Sequence, residues 1–229
     1  MLNTKFFHFK NKMLFALLIN LLIIIFEIVA LVQTVNFDAS GYFTYYTQDS
    51  NLLARATSLI FIITMLIQVF VFKKKEIPHW LSVLKYVSTT CLALTFIVVI
   101  TVLGPIYESQ QAGAYWMFLT HGSMLYHHLL CHLLSIISYV LFECDLKTKF
   151  KESFYPLIPT FVYAVIIISL VVSNIVKAPY PFLEVNSQPI YMSIIWIIVI
   201  IGGDYGISYL LYLPIYINKR KENKNKANL

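Results

Sequence analysis

Long runs of apolar residues, separated by short polar connections, dominate the pattern along this chain. A helix needs about 20 mainly apolar residues to cross the hydrocarbon core of a bilayer. Six stretches reach that length, at residues 13–35, 51–72, 81–103, 118–142, 156–176 and 190–217. Little sequence remains outside them. The pattern therefore predicts an all-α protein, a bundle of six transmembrane helices that forms a single integral membrane domain over residues 1–229.

The composition agrees with this prediction and excludes other classes. Of the 229 residues, 59% are hydrophobic and 12% are charged, whereas a soluble domain carries about 25% charged residues. A soluble domain, a disordered chain and a disulfide-framed secreted domain are therefore excluded. The first stretch is too long for the core of a signal peptide, and no Ala-x-Ala-like site follows it, so we expect it to be retained.

Basic residues are distributed unevenly between the connections. Fourteen of the 17 lie before the first stretch, after the second, after the fourth and after the sixth, and only Lys177 lies in the remaining connections. Such an asymmetry marks the cytoplasmic side, so both termini are predicted to be cytoplasmic. The net charge of +6 then reflects topology and anionic lipid, and we expect no nucleic-acid partner. For the basic tail, 218–229, we expect a solvated, disordered end.

The connections on the opposite side are 36–50, 104–117 and 177–189, and they are rich in aromatic residues, proline and glycine. Two interpretations remain open. The aromatic residues are typical of a belt at the membrane interface, or they form a cap over a site that opens outward.

Ionisable residues inside the apolar stretches are the first candidates for function, because charges at membrane depth are costly and mark functional sites. They are Glu27, Arg55, Lys85, His121, His127, His128, His132 and Asp204. We expect Lys85 to extend its ammonium group toward the membrane surface. Glu27 and Asp204 are the acids available to pair with Arg55 or with a histidine. Asp204 has glycines on both sides, which would permit close helix packing.

The fourth stretch carries a histidine pattern. In a continuous α-helix, His121, Leu125, His128 and His132 follow at steps of four, three and four residues and share one face. His127 points about 100° away from that face. Histidines facing lipid would leave ring nitrogens without partners, so the shared face is predicted to point into the bundle. Hydrogen bonding to neighbouring helices is the alternative role for these histidines.

A second polar group lies at the start of the second stretch. Thr47, Ser50 and Asn51 lie at positions i, i+3 and i+4, and Arg55 follows Asn51 by four residues. In one interpretation, Thr47 or Asp49 caps the helix. In the other, the hydroxyl groups act on a substrate, because the N-terminus of a helix also offers backbone N–H groups to an oxyanion.

Three segments together resemble the androgen-induced family of six-span membrane proteins, including its bacterial branch. The segments are 46–53 (YTQDSNLL), 128–132 (HLLCH) followed by Glu143, and 179–184 (PYPFLE). By topology the resemblance covers nearly the whole chain, and it is close in these segments only. The sequence departs from the family at His132, where the family usually has proline.

The resemblance implies a membrane threonine hydrolase that cleaves ester-linked fatty acid lipids with a threonine and a histidine. Matched residue by residue, the nucleophile is Thr47 and the base is His128. Asn51 or nearby N–H groups would stabilise the oxyanion. The supporting residues are Ser50, Asp49, Arg55, His132, Asp204 and Glu184, with Asp49 or Asp204 available to orient the histidine. The partner would be a lipid, and no cofactor or metal is expected.

Depth within the membrane favours a different histidine. Counted along straight helices from the cytoplasmic ends, Thr47 lies about 37 Å up, His128 about 21 Å and His121 about 31 Å. His121 is therefore the alternative base.

Three other functions remain open at this point. In the first two, the outward-opening site belongs to a transporter or to a receptor for a small ligand or lipid. In the third, His128 and His132 hold a metal ion, although no third ligand is evident. Many Lys, Asn and Ile residues with few arginines are typical of AT-rich bacterial genomes, so we expect a bacterial cell membrane. The oligomeric state is not predicted.

Overall fold

The computed structural model describes residues 2–35, 42–74 and 76–227. Six helices in this part of the chain are long and apolar enough to cross a membrane, and these residues contain no strand. The predicted fold class is confirmed: the protein is an all-α, multi-pass membrane protein.

Seven helices form the described part. They are α1 (Leu2–Val35), α2 (Tyr46–Phe70), α3 (His79–Gln110), α4 (Ala114–Thr120), α5 (Ser123–Glu143), α6 (Leu157–Val172) and α7 (Ile190–Ala227). Short 3₁₀ turns at Tyr42–Thr44, Phe150–Phe154 and Pro181–Leu183 precede α2, α6 and α7. All but α4 belong to membrane-length segments. Because α7 continues to Ala227, the prediction of a disordered tail is wrong for residues 218–227.

Contacts between connections fix which helix ends lie together. Lys147 is 3.5 Å from Glu76, and the ammonium group of Lys219 donates a hydrogen bond to the carbonyl oxygen of Thr148 at 2.6 Å. The α2–α3 and α5–α6 connections and the end of α7 therefore share one end of the bundle. We call it the lysine-rich end, and the positive-inside rule predicts that it is cytoplasmic. The opposite end is called the outer end.

Wide π-helical turns interrupt two of the spans, at Val99–Leu103 in α3 and at Tyr126–Leu130 and Tyr139–Glu143 in α5. The first lies directly before Gly104 and Pro105, which the sequence had placed in a connection. A proline inside a helix lacks an N–H and its ring clashes with the preceding turn. The wide turn accommodates that clash, so α3 continues through the proline.

The fourth predicted span is broken rather than continuous. The helix α4 ends at Thr120, and Gly122 adopts φ 51° and ψ −130° before α5 begins. A side chain at that position would be strained, so glycine permits the break. At the other end of α4, the Glu108 carboxylate accepts hydrogen bonds from the N–H groups of Gly113 and Tyr115 at 2.9 and 2.8 Å.

The helices turn the faces that carry their polar side chains into the bundle, together with apolar residues on the same faces. On α1, the side chains of Ala16, Asn20, Ile23, Glu27 and Ala30 are fully buried at helical spacing, while most residues between them are exposed. Exposed apolar side chains are expected where lipid covers the surface. The buried polar side chains of α1, α2, α3 and α5 therefore face one another inside the bundle.

The glycines beside Asp204 do not serve close helix packing among the described residues. A Cβ atom added at Gly202, Gly203 or Gly206 would have no atom within 4 Å. That interpretation of the sequence is therefore wrong.

Candidate functional site

Thr47 lies in the first turn of α2, where its side chain is 7% exposed. Its hydroxyl group is 3.4 Å from the Tyr180 hydroxyl, and its backbone N–H donates to the same oxygen at 3.3 Å. The N-cap of α2 is Tyr45, so the interpretation of Thr47 or Asp49 as the cap is wrong. The hydroxyl group of Thr47 is therefore free of a capping role.

Tyr180 reaches Thr47 from the segment that precedes α7. Its ring packs against the rings of Tyr45 and Phe182, at centroid distances of 5.9 and 5.1 Å. Burial raises the pKa of Tyr180 to about 12. The phenol therefore stays protonated near neutral pH, and it acts as a neutral hydrogen-bond donor and acceptor beside Thr47.

Two residues that follow Thr47 hold the local backbone. The Ser50 hydroxyl donates to the Thr47 carbonyl oxygen at 3.0 Å and lies 2.9 Å from the Thr95 hydroxyl. The Asn51 amide donates to the carbonyl oxygens of Thr47 at 2.7 Å and His127 at 3.2 Å. Because both of its N–H groups are used, Asn51 positions α2 against α5 and is not available as the predicted oxyanion donor.

An apolar cavity of about 70 Å³ begins at Thr47. Its walls come from α2, α3, α6, α7 and the 3₁₀ turn at Pro181–Leu183. Hydroxyl groups of Thr47, Thr95 and Tyr180 lie at its lining among apolar side chains, which include Leu94, Val98, Ile168, Phe182, Trp196 and Ile197. Such a mixture of apolar walls and a few polar groups is typical of a binding site for a largely apolar ligand.

A second cavity, of about 480 Å³, lies on the other side of two tyrosines. Tyr46 and Tyr163 line both cavities and pack edge to face at 5.1 Å. The Tyr46 hydroxyl is 2.8 Å from that of Thr160, and the Tyr163 hydroxyl donates to the Thr44 carbonyl oxygen at 2.8 Å. The two rings therefore form a wall between the cavities.

The histidines do not follow the predicted stripe. His128 and His132 are buried, but His121 is exposed at the break before α5, so the shared interior face is wrong for His121. His127, predicted to point elsewhere, is 2% exposed. The physical reason is the break at Gly122 together with the π-turn at Tyr126–Leu130, since both change the rotation between successive residues.

The imidazole of His128 has a defined orientation. Its Nδ1 donates to the Phe118 carbonyl oxygen at 2.8 Å, and its ring stacks on the Phe118 ring at 6.0 Å. A carbonyl oxygen only accepts, so the proton lies on Nδ1 and Nε2 carries the lone pair. Within the described residues, no hydrogen bond joins Thr47 to His128 or to another histidine.

His127 pairs with an acid from α1. Its Nε2 is 3.5 Å from Oε2 of Glu27, which is fully buried. The Asn51 amide nitrogen donates to the carbonyl oxygens of both Thr47 and His127, at 2.7 and 3.2 Å, so these two oxygens lie close together. The backbone of His127 is therefore close in depth to Thr47, whereas counting along straight helices placed the neighbouring His128 well below it.

The remaining supporting residues lie apart from the histidines. Asp49 lines the second cavity, and Asp204 is fully buried facing Thr160. Neither is hydrogen-bonded to a histidine in the part of the chain that the structure describes. Glu184 is exposed and accepts a hydrogen bond from the Ser187 hydroxyl at 3.0 Å.

Arg55 and Lys85 both lie inside the bundle. Arg55 is half-buried, and its Nη1 atom has no hydrogen-bond partner among the described residues. Lys85 is fully buried and hydrogen-bonded to Asn20 and Ser58, so the expectation that it extends to the membrane surface is wrong.

The metal alternative gains no support from the geometry. Within residues 2–35, 42–74 and 76–227, no group of three His, Cys, Asp or Glu side chains is placed to hold a metal ion.

Two contributors were missed at the sequence level. Tyr180 was counted as one of the aromatic residues of the outer connections, and only its position between two prolines set it apart. His127 was set aside because an ideal helix turns it away, although Glu27 had been recognised as an available acid.

No protein-family model, no curated protein and no solved structure matches this chain.

Proposed function

We propose that the protein is an intramembrane hydrolase of lipid esters, with Thr47 as the nucleophile. The observation that carries the proposal is the position of Thr47, whose buried hydroxyl group lies at the lining of an apolar cavity. An acyl chain enters that cavity and its ester carbonyl lies beside Thr47.

The reaction has two halves. The oxygen of Thr47 attacks the ester carbonyl carbon while Nε2 of His128 takes its proton, and the bond to the alcohol breaks with that proton passing to the leaving oxygen. Water then hydrolyses the acyl-threonine and releases a fatty acid. The candidate oxyanion donors are the Thr47 N–H and the Tyr180 hydroxyl, which are hydrogen-bonded to each other, and the substrate oxygen must displace that contact to accept from both.

Thr47 and His128 are not hydrogen-bonded to each other in the described structure, so the proposed mechanism requires substrate binding to bring them together. Phe118, on which His128 stacks, packs against the apolar cluster that contains Val99 and Tyr180, and these two residues also line the cavity. The Phe118 ring therefore contacts both His128 and the apolar cluster beside the cavity. Substrate binding must bring the Thr47 hydroxyl and Nε2 of His128 together.

A second candidate is binding of a lipid without hydrolysis. The hydrogen bond of Thr47 to Tyr180, together with the lack of one from Thr47 to a histidine among the described residues, favours it. In this case the apolar cavity retains its ligand and the hydroxyl group of Thr47 only orients it.

Labelling with a fluorophosphonate probe separates these functions. The wild type is expected to be labelled at residue 47, Thr47→Ala to lose the label and Thr47→Ser to keep part of it. Ser50→Ala is the matched control, since it removes a neighbouring buried hydroxyl group. His128→Ala should slow labelling about 100-fold or more if it is the base.

The hydrolase proposal fails if purified wild type neither reacts with the probe nor cleaves a chromogenic fatty-acyl ester. Saturable binding of a fluorescent fatty acid in the same sample would then support the second candidate. Loss of activity in His127→Ala but not in His128→Ala would move the base to the histidine that faces Glu27.

A further inference from the structure

Four helices, α1, α2, α3 and α5, bury a series of polar side chains that the proposed hydrolysis does not use. The series runs from the lysine-rich end of the bundle to the turn of α2 that carries Asn51. In a protein surrounded by lipid, polar groups at this depth are costly, and they commonly mark ion pathways and proton relays.

The series begins with a charged cluster near the lysine-rich end. The Lys85 ammonium group donates to Asn20 Oδ1 at 2.8 Å and lies 3.8 Å from Oε2 of Glu143. Oε1 of Glu143 accepts hydrogen bonds from Asn20 and, at 2.6 Å, from Ser138. All four side chains are fully buried, so proton donors and acceptors from three helices meet out of contact with lipid.

Hydroxyl groups continue the series toward the centre. Ser88 and Thr89 follow Lys85 by three and four residues on α3, so they lie one helical turn further along the same side. Thr57 donates to Ser88 at 2.9 Å, and the hydroxyl groups of Thr89 and Ser135 are 2.8 Å apart. A hydroxyl group both donates and accepts, so each pair is able to pass a proton.

The centre is a group of buried polar side chains without hydrogen-bond partners, which we call the relay chamber. His132 lies one turn from Ser135, and neither of its ring nitrogens has a partner among the described residues. Nε2 of His127 and Oε2 of Glu27 are 3.5 Å apart, and the Cys131 thiol faces the same carboxylate. The Nη1 atom of Arg55 is also unpartnered, within the described residues.

The chemistry of the relay chamber fits a hydrated proton. A buried polar group without a hydrogen-bond partner destabilises the fold, and internal water is the usual partner for it. The charged and titratable groups present are Glu27 from α1, Arg55 from α2, and His127, His128, Cys131 and His132 from α5. They combine an acid with several bases, which are the groups that exchange protons.

We propose that this series conducts protons across the bundle, with Glu27 and His127 as the acid–base pair at its midpoint. A proton passes from the Lys85 and Glu143 cluster along the hydroxyl pairs to water in the relay chamber. It binds to Glu27 or to Nε2 of His127 and leaves toward Asn51 at the outer end. Only O–H and N–H bonds form and break, so no co-reactant is needed.

Proton flux into vesicles tests the proposal. Purified protein is reconstituted into phosphatidylcholine vesicles that contain a pH-sensitive dye and potassium, and valinomycin sets the membrane potential. Wild-type vesicles are expected to acidify faster than protein-free vesicles. Glu27→Gln removes the titratable group and should return the rate to the protein-free level, while Glu27→Asp keeps a carboxyl group and retains part of the flux.

Controls keep the outcome interpretable. Glu76→Gln is the matched control, because it makes the same change at a side chain that is 83% exposed, and its flux should equal that of the wild type. Thr47→Ala should lose any hydrolase activity without a change in flux, which separates the two proposals. Circular dichroism and gel filtration verify that Glu27→Gln is folded. A wild-type flux equal to that of empty vesicles, or an undiminished flux in folded Glu27→Gln, overturns the proposal.

Discussion

Replacing Lys85 by methionine tests how strongly the charged cluster stabilises the bundle. The change keeps the length of the side chain and removes the ammonium group, with its hydrogen bonds to Asn20 at 2.8 Å and Ser58 at 3.2 Å. It also leaves Glu143 buried without its counter-ion, which lies 3.8 Å away in the native protein. Breaking a buried ion pair in this way costs about 3–5 kcal/mol.

We expect Lys85→Met to lower the free energy of unfolding by about 3 kcal/mol, near the lower end of that range. Glu143 keeps the hydrogen bonds from Asn20 and Ser138, which partly compensate its charge. Removing the second charge as well should restore stability, so Lys85→Met combined with Glu143→Gln should lose less than the sum of the single variants. The expected coupling is about 1 kcal/mol or more.

Reversible unfolding in mixed micelles by increasing sodium dodecyl sulfate, followed by circular dichroism, gives the free energy of unfolding. Lys147→Met is the matched control, since that lysine is 72% exposed and its ion-pair partner Glu76 is exposed as well. Its effect should stay within about 1 kcal/mol. If Lys85→Met behaved like Lys147→Met, or if the two single variants were additive, the cluster would not stabilise the fold in this way.

Three further outcomes follow from the structure. Gly104→Ala should destabilise the protein by about 1–3 kcal/mol, because its Cβ would lie 2.5 Å from the Tyr115 ring. Gly203→Ala is the control, because a Cβ there meets no atom within 4 Å. Equal thermal unfolding midpoints for the two variants would contradict this prediction. A cysteine at Gln110 should react with a membrane-impermeant maleimide on intact cells, and labelling only after permeabilisation would reverse the predicted orientation. His79→Ala should lower the free energy of unfolding by about 1 kcal/mol or less, and by less at high salt. The reason is that the His79 ring is 36% exposed where it contacts the carboxylates of Asp145 and Glu152. A larger loss that does not depend on salt would refute this prediction.

The six spans could be predicted because each one satisfies the same requirement, about 20 apolar residues for one bilayer crossing. The interior positions of His128 and His132 followed from the cost of exposing their ring nitrogens to lipid. These predictions depend on composition within a helix, and they tolerate small errors in where the helix begins.

Orientation within α5 could not be predicted in the same way. An ideal helix places His121 inside and His127 outside, and the structure has the reverse. The break at Gly122 and the wide turn that follows come from backbone geometry, which leaves no periodic signal in the sequence. The partners of Thr47 were equally hidden, because Tyr180 reaches it from a segment more than 130 residues away.

The wide turns of α5 have a consequence for how the sequence of such a protein evolves by insertion or deletion of residues. A π-turn contains one residue more than an α-helix uses for the same rotation. Deleting one residue from Tyr126–Leu130 would therefore restore regular winding and leave the outer part of α5 in the same rotation against Cys131–Ser138. A single inserted codon is thus sufficient to produce such a turn, while the helical parts on either side of it keep their packing.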